Sequence, residues 1–476
     1  MGTRQEADSL GTVDVPADAY YGSFTQRARK NFDLTGGKPP SSFIRAFGFI
    51  KKAAARTNHE LGLLQEKKAE AIVDASDEVV DGTFDDEFVL DMIQAGAGTP
   101  FHMNANEVIA NRATELLGGG LGEYLVHPND DVNMGQSSNN VVPTAIRLAC
   151  LELSDTLLEE MEELSESLRD RADEYNDTVK VGRTHLQDAV PVTLGQELDA
   201  YATHVEEAIR RLDQARDGLR EVGLGGNATG TGINTPEGFR DRLVDELSEV
   251  TGRELRATDD ALATTQSMTP FSDLSGALKR FCLDMIKAAN DMMLLNSGPV
   301  AGIGELELPE VEPGSSIMPG KVNPSVTEAF KMSCIQVLGN DEAVSVAAKE
   351  GDLELNVNTP LIARNLFDSL DLLASAIEMW RKDCIEELEA DEARIEELLS
   401  GSTATATALS PYIGYDRTAE AVHEALESSR TFREVVEERG WMTTEELDGV
   451  LQPERMTEPH GVDEELRDRV RERLND

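Results

Sequence analysis

The stretch Leu153-Ser154-Asp155-Thr156-Leu157-Leu158-Glu159-Glu160-Met161-Glu162-Glu163-Leu164-Ser165-Glu166-Ser167-Leu168 decides the fold class. Leu153, Leu157, Met161, Leu164 and Leu168 recur at intervals of four, four, three and four residues, the spacing of one face of an α-helix. Glu159, Glu160, Glu162, Glu163 and Glu166 fall between them and read as its solvated face. From about Val141 onward the chain reads as long helices with little strand signal. A second helix runs from about Thr193 to Val222 on Leu198, Tyr201, Val205, Ile209 and Leu212. A third spans about Phe271 to Leu295, a fourth begins near Ser325, and a fifth runs from about Pro360 to Ile377. Five long amphipathic helices suggest a bundle, and stripes of this length favour association through helix faces.

Upstream, residues 1 to about 40 read as loop, with Pro16, Gly22, Gly36, Gly37, Pro39 and Pro40. The helical pattern starts near Ser41, with Ser41 or Ser42 as its cap. Two or three helices carry it to about Leu117, broken near Gly82 and at Gly96-Ala97-Gly98-Thr99-Pro100. A Gly118-Gly119-Gly120 turn leads to the polar loop His127-Pro128-Asn129-Asp130. Past about Leu388 the segments shorten. Two or three domains are expected from the length; with three, they are a mostly helical one over 1–138, a central bundle over 139–390, and a small helical one over 391–476.

With 44 Lys and Arg against 90 Asp and Glu, the net charge is −46, which excludes nucleic-acid backbones and anionic membranes as partners. The apolar periodicity excludes disorder. A carboxylate-covered surface suits a high-salt cytoplasm, where a Debye length of about 3 Å at molar salt screens self-repulsion. The fold is accordingly expected to loosen in dilute buffer. The four cysteines, Cys150, Cys282, Cys334 and Cys384, are far apart and form no C-x-x-C pair. Buried free thiols are expected rather than disulfides or a zinc site. No histidine pair shares a helix face with an acid, so no metal and no cofactor is expected. The opening residues, Met1 to Glu6, do not read as a signal peptide, and no apolar run reaches membrane-span length, so a cytoplasmic location is expected. The glycine-rich run from Gly223 to Gly238 follows a helix rather than a strand, which speaks against a dinucleotide fold.

The polar interruptions carry the candidate chemistry. Gly314-Ser315-Ser316-Ile317-Met318-Pro319-Gly320-Lys321-Val322-Asn323-Pro324 lies between helix-patterned segments and gathers two hydroxyls, one ammonium and one amide. Thr99, Ser137-Ser138-Asn139 and Thr184-His185 also sit at helix breaks. Hydroxyls, amides, an imidazole and an ammonium are groups that bind small carboxylates, helped by backbone N–H groups at helix starts. Taken singly, each cluster reads as helix capping before ligand binding.

The segment from Gly314 to Pro324 resembles the signature of the fumarase/aspartase superfamily. The resemblance runs from Val15-Pro16-Ala17-Asp18-Ala19-Tyr20-Tyr21-Gly22 to Ile413-Gly414-Tyr415-Asp416. It implies a mostly α-helical, three-domain fold with a central long-helix bundle. It also implies a homotetramer around a core of helices, with active sites shared between subunits and a small dicarboxylate as substrate. By resemblance Ser315 is the general base, and Thr99, Ser137, Ser138 and Ser316 cradle the carboxylate that gains charge. Thr184, His185, Lys321 and Asn323 hold the other carboxylate, and Asn139 lies by the leaving group. Glu312 and Glu328 match supporting acids, and His127, Asn129 and Asp130 match a secondary anion site.

The resemblance further implies anti elimination that releases fumarate. Ala19-Tyr20-Tyr21-Gly22, Ala97-Gly98-Thr99, Asp188-Ala189-Val190-Pro191, Glu350 to Asn356 and Arg455 to Pro459 resemble aspartate ammonia-lyases. Ser137-Ser138-Asn139, His127 to Asp130 and Glu312-Pro313 resemble class II fumarases. Ammonia from L-aspartate is the expected leaving group, water from malate the alternative. A non-catalytic scaffold is the third reading, opposed by Ser315, Lys321, Asn323 and His185 together. The chain departs from the family's pattern at Pro100-Phe101, at His102 where Asn is usual, at Asn140 where Asp is usual, and at Tyr124 where fumarases carry Arg.

Overall fold

The computed structural model describes residues 2–428 and 430–475. The chain opens with strands β1 (Thr3–Asp8) and β2 (Gly11–Pro16), followed by helices α1 (Ser23–Asn31), α2 (Ser41–Glu60), α3 (Glu66–Val80) and α4 (Thr99–Leu116). Helix α5 (Ser138–Glu174) leads into strands β3 (Val179–Thr184) and β4 (Gln187–Thr193), and α6 (Leu194–Leu219) follows. The glycine-rich region holds β5 (Glu221–Val222), the single turn α7 (Asn227–Gly230), α8 (Phe239–Thr251), β6 (Arg256–Ala257) and α9 (Ala261–Gln266). Three more long helices are α10 (Thr269–Leu295), α11 (Ser325–Lys349) and α12 (Thr359–Trp380). Strand β7 (Leu306–Glu307) pairs with β8 (Glu389–Ala390), and short helices run from α13 (Glu392–Gly401) to Glu464–Asn475. The protein is mostly α-helical, and every sheet among the described residues has two strands.

The chain divides into two compact units. The first comprises Met1–Glu160, Glu207–Leu283 and Met332–Ser375. Its α2 packs against α3 and α8. The ring of Phe43 meets those of Phe47, Phe101 and Phe367 at 4.8, 5.3 and 5.3 Å between centroids. Burial of each such side chain stabilises by roughly 1.5–3 kcal/mol. Gly48 allows the close approach of α2 to α3: a Cβ there would lie 2.8 Å from Val80 Cγ2 and 3.0 Å from the Ser76 carbonyl oxygen.

The second unit comprises Met161–Glu206, Asp284–Lys331 and Ala376–Asp476. There α13 packs on β3, with Val181, Leu399 and Ala404 buried together. Trp380 stacks on Phe330 at 4.1 Å and donates from Nε1 to Thr327 Oγ1. A further core joins Leu409, Ile413, Val435, Val436, Leu447 and Val470.

Three local expectations change. The first 40 residues are not loop throughout: β1 and β2 pair antiparallel, and α1 is capped by distant acids. Glu107 accepts from the backbone N–H groups of Gly22, Phe24 and Thr25, and Glu6 accepts from Ser23. Neither Ser41 nor Ser42 caps α2, because Pro40 occupies the cap position and Ser41 Oγ donates to Asp85 instead. The expected helix break at Thr184-His185 is the tip of the β3–β4 hairpin. The five long helices appear close to their expected bounds, and all four cysteines are free and buried. No described helix is long and apolar enough to cross a membrane.

Candidate active site

In the first unit, the Thr99 segment and the start of α5 are joined by side chains. Gly96, Ala97 and Gly98 all take positive φ (77°, 52° and 76°), a left-handed run that turns the chain sharply into α4. Ala97 holds that conformation despite its Cβ, while a Cβ on Gly98 would lie 2.6 Å from Val142 Cγ1. Thr99 opens α4, and one turn on His102 reaches Ser138 Oγ from Nδ1 at 2.8 Å. Ser137 Oγ accepts from Asn139 N–H at 3.3 Å, a local cap of α5. Asn139 Nδ2 donates to the Ala228 carbonyl at 2.7 Å, tying α5 to the glycine-rich region. Asn140 is buried and donates to Thr265 Oγ1 at 3.1 Å.

Sequence reasoning did not single out the residue behind His102. Lys51 is fully buried in α2, with Nζ 2.5 Å from His102 Nε2 and 2.7 Å from Gln136 Oε1. No carboxylate among the described residues pairs with it. Burial holds the ammonium well below the usual lysine range. Burial, then the Lys51 charge, likewise pushes the His102 imidazolium well below its ordinary value. A signal was available: Phe43, Phe47 and Lys51 are four apart, so the lysine interrupts a buried aromatic stripe.

The expected secondary anion site takes a self-contained form. His127 Nδ1 accepts from the N–H groups of Asn129 and Asp130, at 3.3 and 3.2 Å, and so caps the turn Pro128–Val132. Tyr124 donates to Glu6 at 2.9 Å.

In the second unit, Thr184 ends β3 and His185 and Leu186 form the hairpin tip, both at positive φ (56° and 59°). Thr184 and His185 are exposed. The hairpin is anchored by charge. Glu305, with no exposed side-chain surface, lies 3.0 Å from Lys180 and 2.8 Å from Arg183. A cavity of about 490 Å³ beside the tip is lined by Lys180, Arg183, His185, Tyr201, Lys287 and Asp291, among others.

The segment 314–324 is an exposed loop closed at its base. Gly314 N–H donates to the Lys321 carbonyl at 2.8 Å, and Asn323 Nδ2 donates to the Gly314 carbonyl at 2.8 Å. Any residue larger than glycine at 314 would lie 2.7 Å from Asn323 N. Within this loop Ser315 Oγ accepts two backbone hydrogen bonds, from Ile317 N–H at 3.2 Å and Met318 N–H at 3.0 Å. Ser316 and Lys321 are exposed, as are Glu312 and Glu328 before and after the loop. No hydrogen bond joins the loop to the His185 tip among the described residues.

Comparison with known proteins agrees with this helical architecture. A lyase family matches residues 11–339, and the fumarase C C-terminal family matches 406–458. The class II fumarate hydratase of Halobacterium salinarum is 47% identical over 455 residues, 95% of this chain and 97% of that protein. The aspartate ammonia-lyase of Pseudomonas canavaninivorans is 47% identical over 464 residues, 96% and 98% of the two chains. The class II fumarase structure from Schistosoma mansoni superposes with a TM-score of 0.94 at 36% identity, covering 97% of this chain and all of that one. A Brucella melitensis fumarate lyase:delta crystallin structure gives 0.94 at 44% identity, covering 96% of this chain. The protein is a helical lyase. It belongs to the fumarase/aspartase superfamily.

Proposed function

We propose that this lyase forms fumarate from L-aspartate by anti elimination of ammonia. The observation that carries the reading is the pair of backbone N–H groups on Ser315 Oγ. Serine is a weak base at its free pKa, and two fixed donors favour its alkoxide. The alkoxide takes a proton from the carbon beside one carboxylate. The released electron pair passes into that carboxylate, giving an enediolate-like dianion. Its return forms the carbon–carbon double bond and breaks the bond to nitrogen, and the ammonium group leaves as ammonia.

Thr99, Ser137, Ser138 and Ser316 are assigned to the carboxylate that gains charge, where donors arranged in advance act most strongly. Thr184, His185, Lys321 and Asn323 are assigned to the other carboxylate, and Asn139 to the leaving group. Glu312 and Glu328 support the loop, and His127, Asn129 and Asp130 remain the candidate secondary anion site. The assignment includes a three-domain chain, and a homotetramer in which each site draws segments from different subunits. A cytoplasmic location accords with four unpaired thiols.

L-Malate, with water as leaving group, is the second reading, favoured by the equal identity to the Halobacterium salinarum fumarate hydratase. Following fumarate by ultraviolet absorbance in molar salt, with each substrate in turn, decides between them. Fumarate from L-aspartate is expected. Fumarate from L-malate alone replaces the first substrate by the second, and fumarate from neither removes the lyase reading.

A further inference from the structure

Lys51, Gln136, His102 and Ser138 form a hydrogen-bonded chain from the interior of the first unit to the first turn of α5. Gln136 fixes its direction. Its Nε2 donates to the carbonyls of Val132 and Met134, so its Oε1 is the atom that faces Lys51. An ammonium is a donor only, and a neutral amine still carries two hydrogens. As an ammonium Lys51 can only donate, and it has hydrogens for both Gln136 Oε1 and His102 Nε2; as a neutral amine it still has a hydrogen for each, while its lone pair is the one alternative acceptor, for a hydrogen on Nε2. With Nε2 accepting, the imidazole hydrogen sits on Nδ1 and is donated to Ser138 Oγ. Ser138 already receives that bond, so its own hydrogen is free to point away from His102. The ring is held in place: His102 is 1% exposed and lies parallel to Phe47, with centroids 6.4 Å apart.

We propose that His102 is a positioning residue, locked by Lys51 as the Nδ1–H tautomer, which presents the Ser138 hydroxyl as a hydrogen-bond donor to a bound dicarboxylate. This rests on the dicarboxylate reading given above. A serine left to rotate freely is donor part of the time. One whose oxygen is already supplied is donor throughout, and its polarised O–H is the stronger for it.

Succinate, a dicarboxylate with no leaving group, is the probe, and its dissociation constant is measured by calorimetry in molar salt. Leu at 102 cannot donate to Ser138, whereas the amide of Asn can. His102→Leu is expected to weaken succinate about tenfold or more, and His102→Asn to stay within about threefold of the parent chain. Ser138→Ala should weaken it to a similar degree, and the double variant His102→Leu/Ser138→Ala no further, because one acts through the other. Additive losses, or wild-type binding by His102→Leu, would overturn the role of His102. Failure of the parent chain to bind succinate or to make fumarate would overturn the dicarboxylate reading as well. A measurement independent of any folding defect is nitrogen NMR on the parent chain labelled at histidine, with the His102 signal identified by its loss in His102→Asn. A hydrogen on Nδ1 is expected, and one on Nε2 would overturn the proposal.

Discussion

Asn139 donates to the carbonyl of Ala228 at 2.7 Å, and the two residues at that corner, Asn227 and Ala228, both hold positive φ (31° and 41°). Ala228, with ψ −66°, lies outside even the left-handed helical well, and a strained backbone of this kind costs on the order of 1–3 kcal/mol. The Asn139 bond helps hold the corner in that conformation. Ala228→Gly is expected to raise stability by about 1 kcal/mol, read as a higher melting temperature. Asn139→Ala is expected to lower it by a similar amount, since the bond is lost and the strain remains.

Ser315→Ala removes an atom that gathers two backbone donors within its loop. Turnover should fall by about a thousandfold or more, as for loss of an activated nucleophile or base. The melting temperature should hold, because the loop is exposed. Activity within a few fold of the parent chain would remove Ser315 from the chemistry.

Glu305 is sealed from solvent between Lys180 and Arg183, and Lys180 also meets Glu197 at 2.9 Å. Glu305→Gln leaves the Arg183 guanidinium short of a counter-charge and the buried Lys180 with Glu197 alone. Breaking a buried pair from one side costs about 3–5 kcal/mol. A chemical denaturation midpoint equal to the parent's would refute this. Because Arg183 lies two residues before His185, the same change should loosen the hairpin tip.

Asp91 gives a pH dependence of known sign. Burial pushes its carboxyl up, but the N–H groups of Thr35, Ile93 and Gly36, with the Thr35 hydroxyl, outweigh this and bring it down to about 2. A carboxyl depressed in the folded chain stabilises above its unfolded value and loses that contribution as pH falls through the folded value. Asp91 should therefore contribute about 2 kcal/mol at neutral pH, fading below about pH 4 and gone near pH 1. Asp91→Asn should flatten the acid limb of a stability-versus-pH curve. An unchanged limb would show that other carboxyls control it.

The sequence disclosed the long helices because their apolar residues repeat at the helical period, as Leu153 to Leu168 do. It disclosed the segment 314–324 because its glycines and prolines interrupt the helical pattern, and Gly314 is required where the loop closes on itself. It concealed the hairpins. His185 and Leu186 form a two-residue turn without glycine or an Asn-Gly pair, so the usual hairpin signal is missing. The start of α1 was concealed for another reason: Glu107, 85 residues from Gly22, serves as its cap, and local patterns cannot report such a partner. Lys51 is legible in the sequence only as a break in an aromatic stripe, because charge in a helix normally marks the solvated face. His102 was visible as a departure, yet its consequence depends on the lysine behind it.

The four unpaired thiols give the fold a record of its own openings. Burial pushes the thiols of Cys150 and Cys384 up, the latter to about 11, and the Cys334 hydrogen bond followed by burial does the same for Cys282. A thiol that is neither ionised nor reached by water does not react with an alkylating reagent. Each modification at neutral pH then marks one excursion of the surrounding structure, Cys150, Cys282 and Cys334 reporting on the first unit and Cys384 on the second. Labelling rates read at single cysteines as salt is withdrawn would show which unit gives way first when 90 acidic side chains lose their screening.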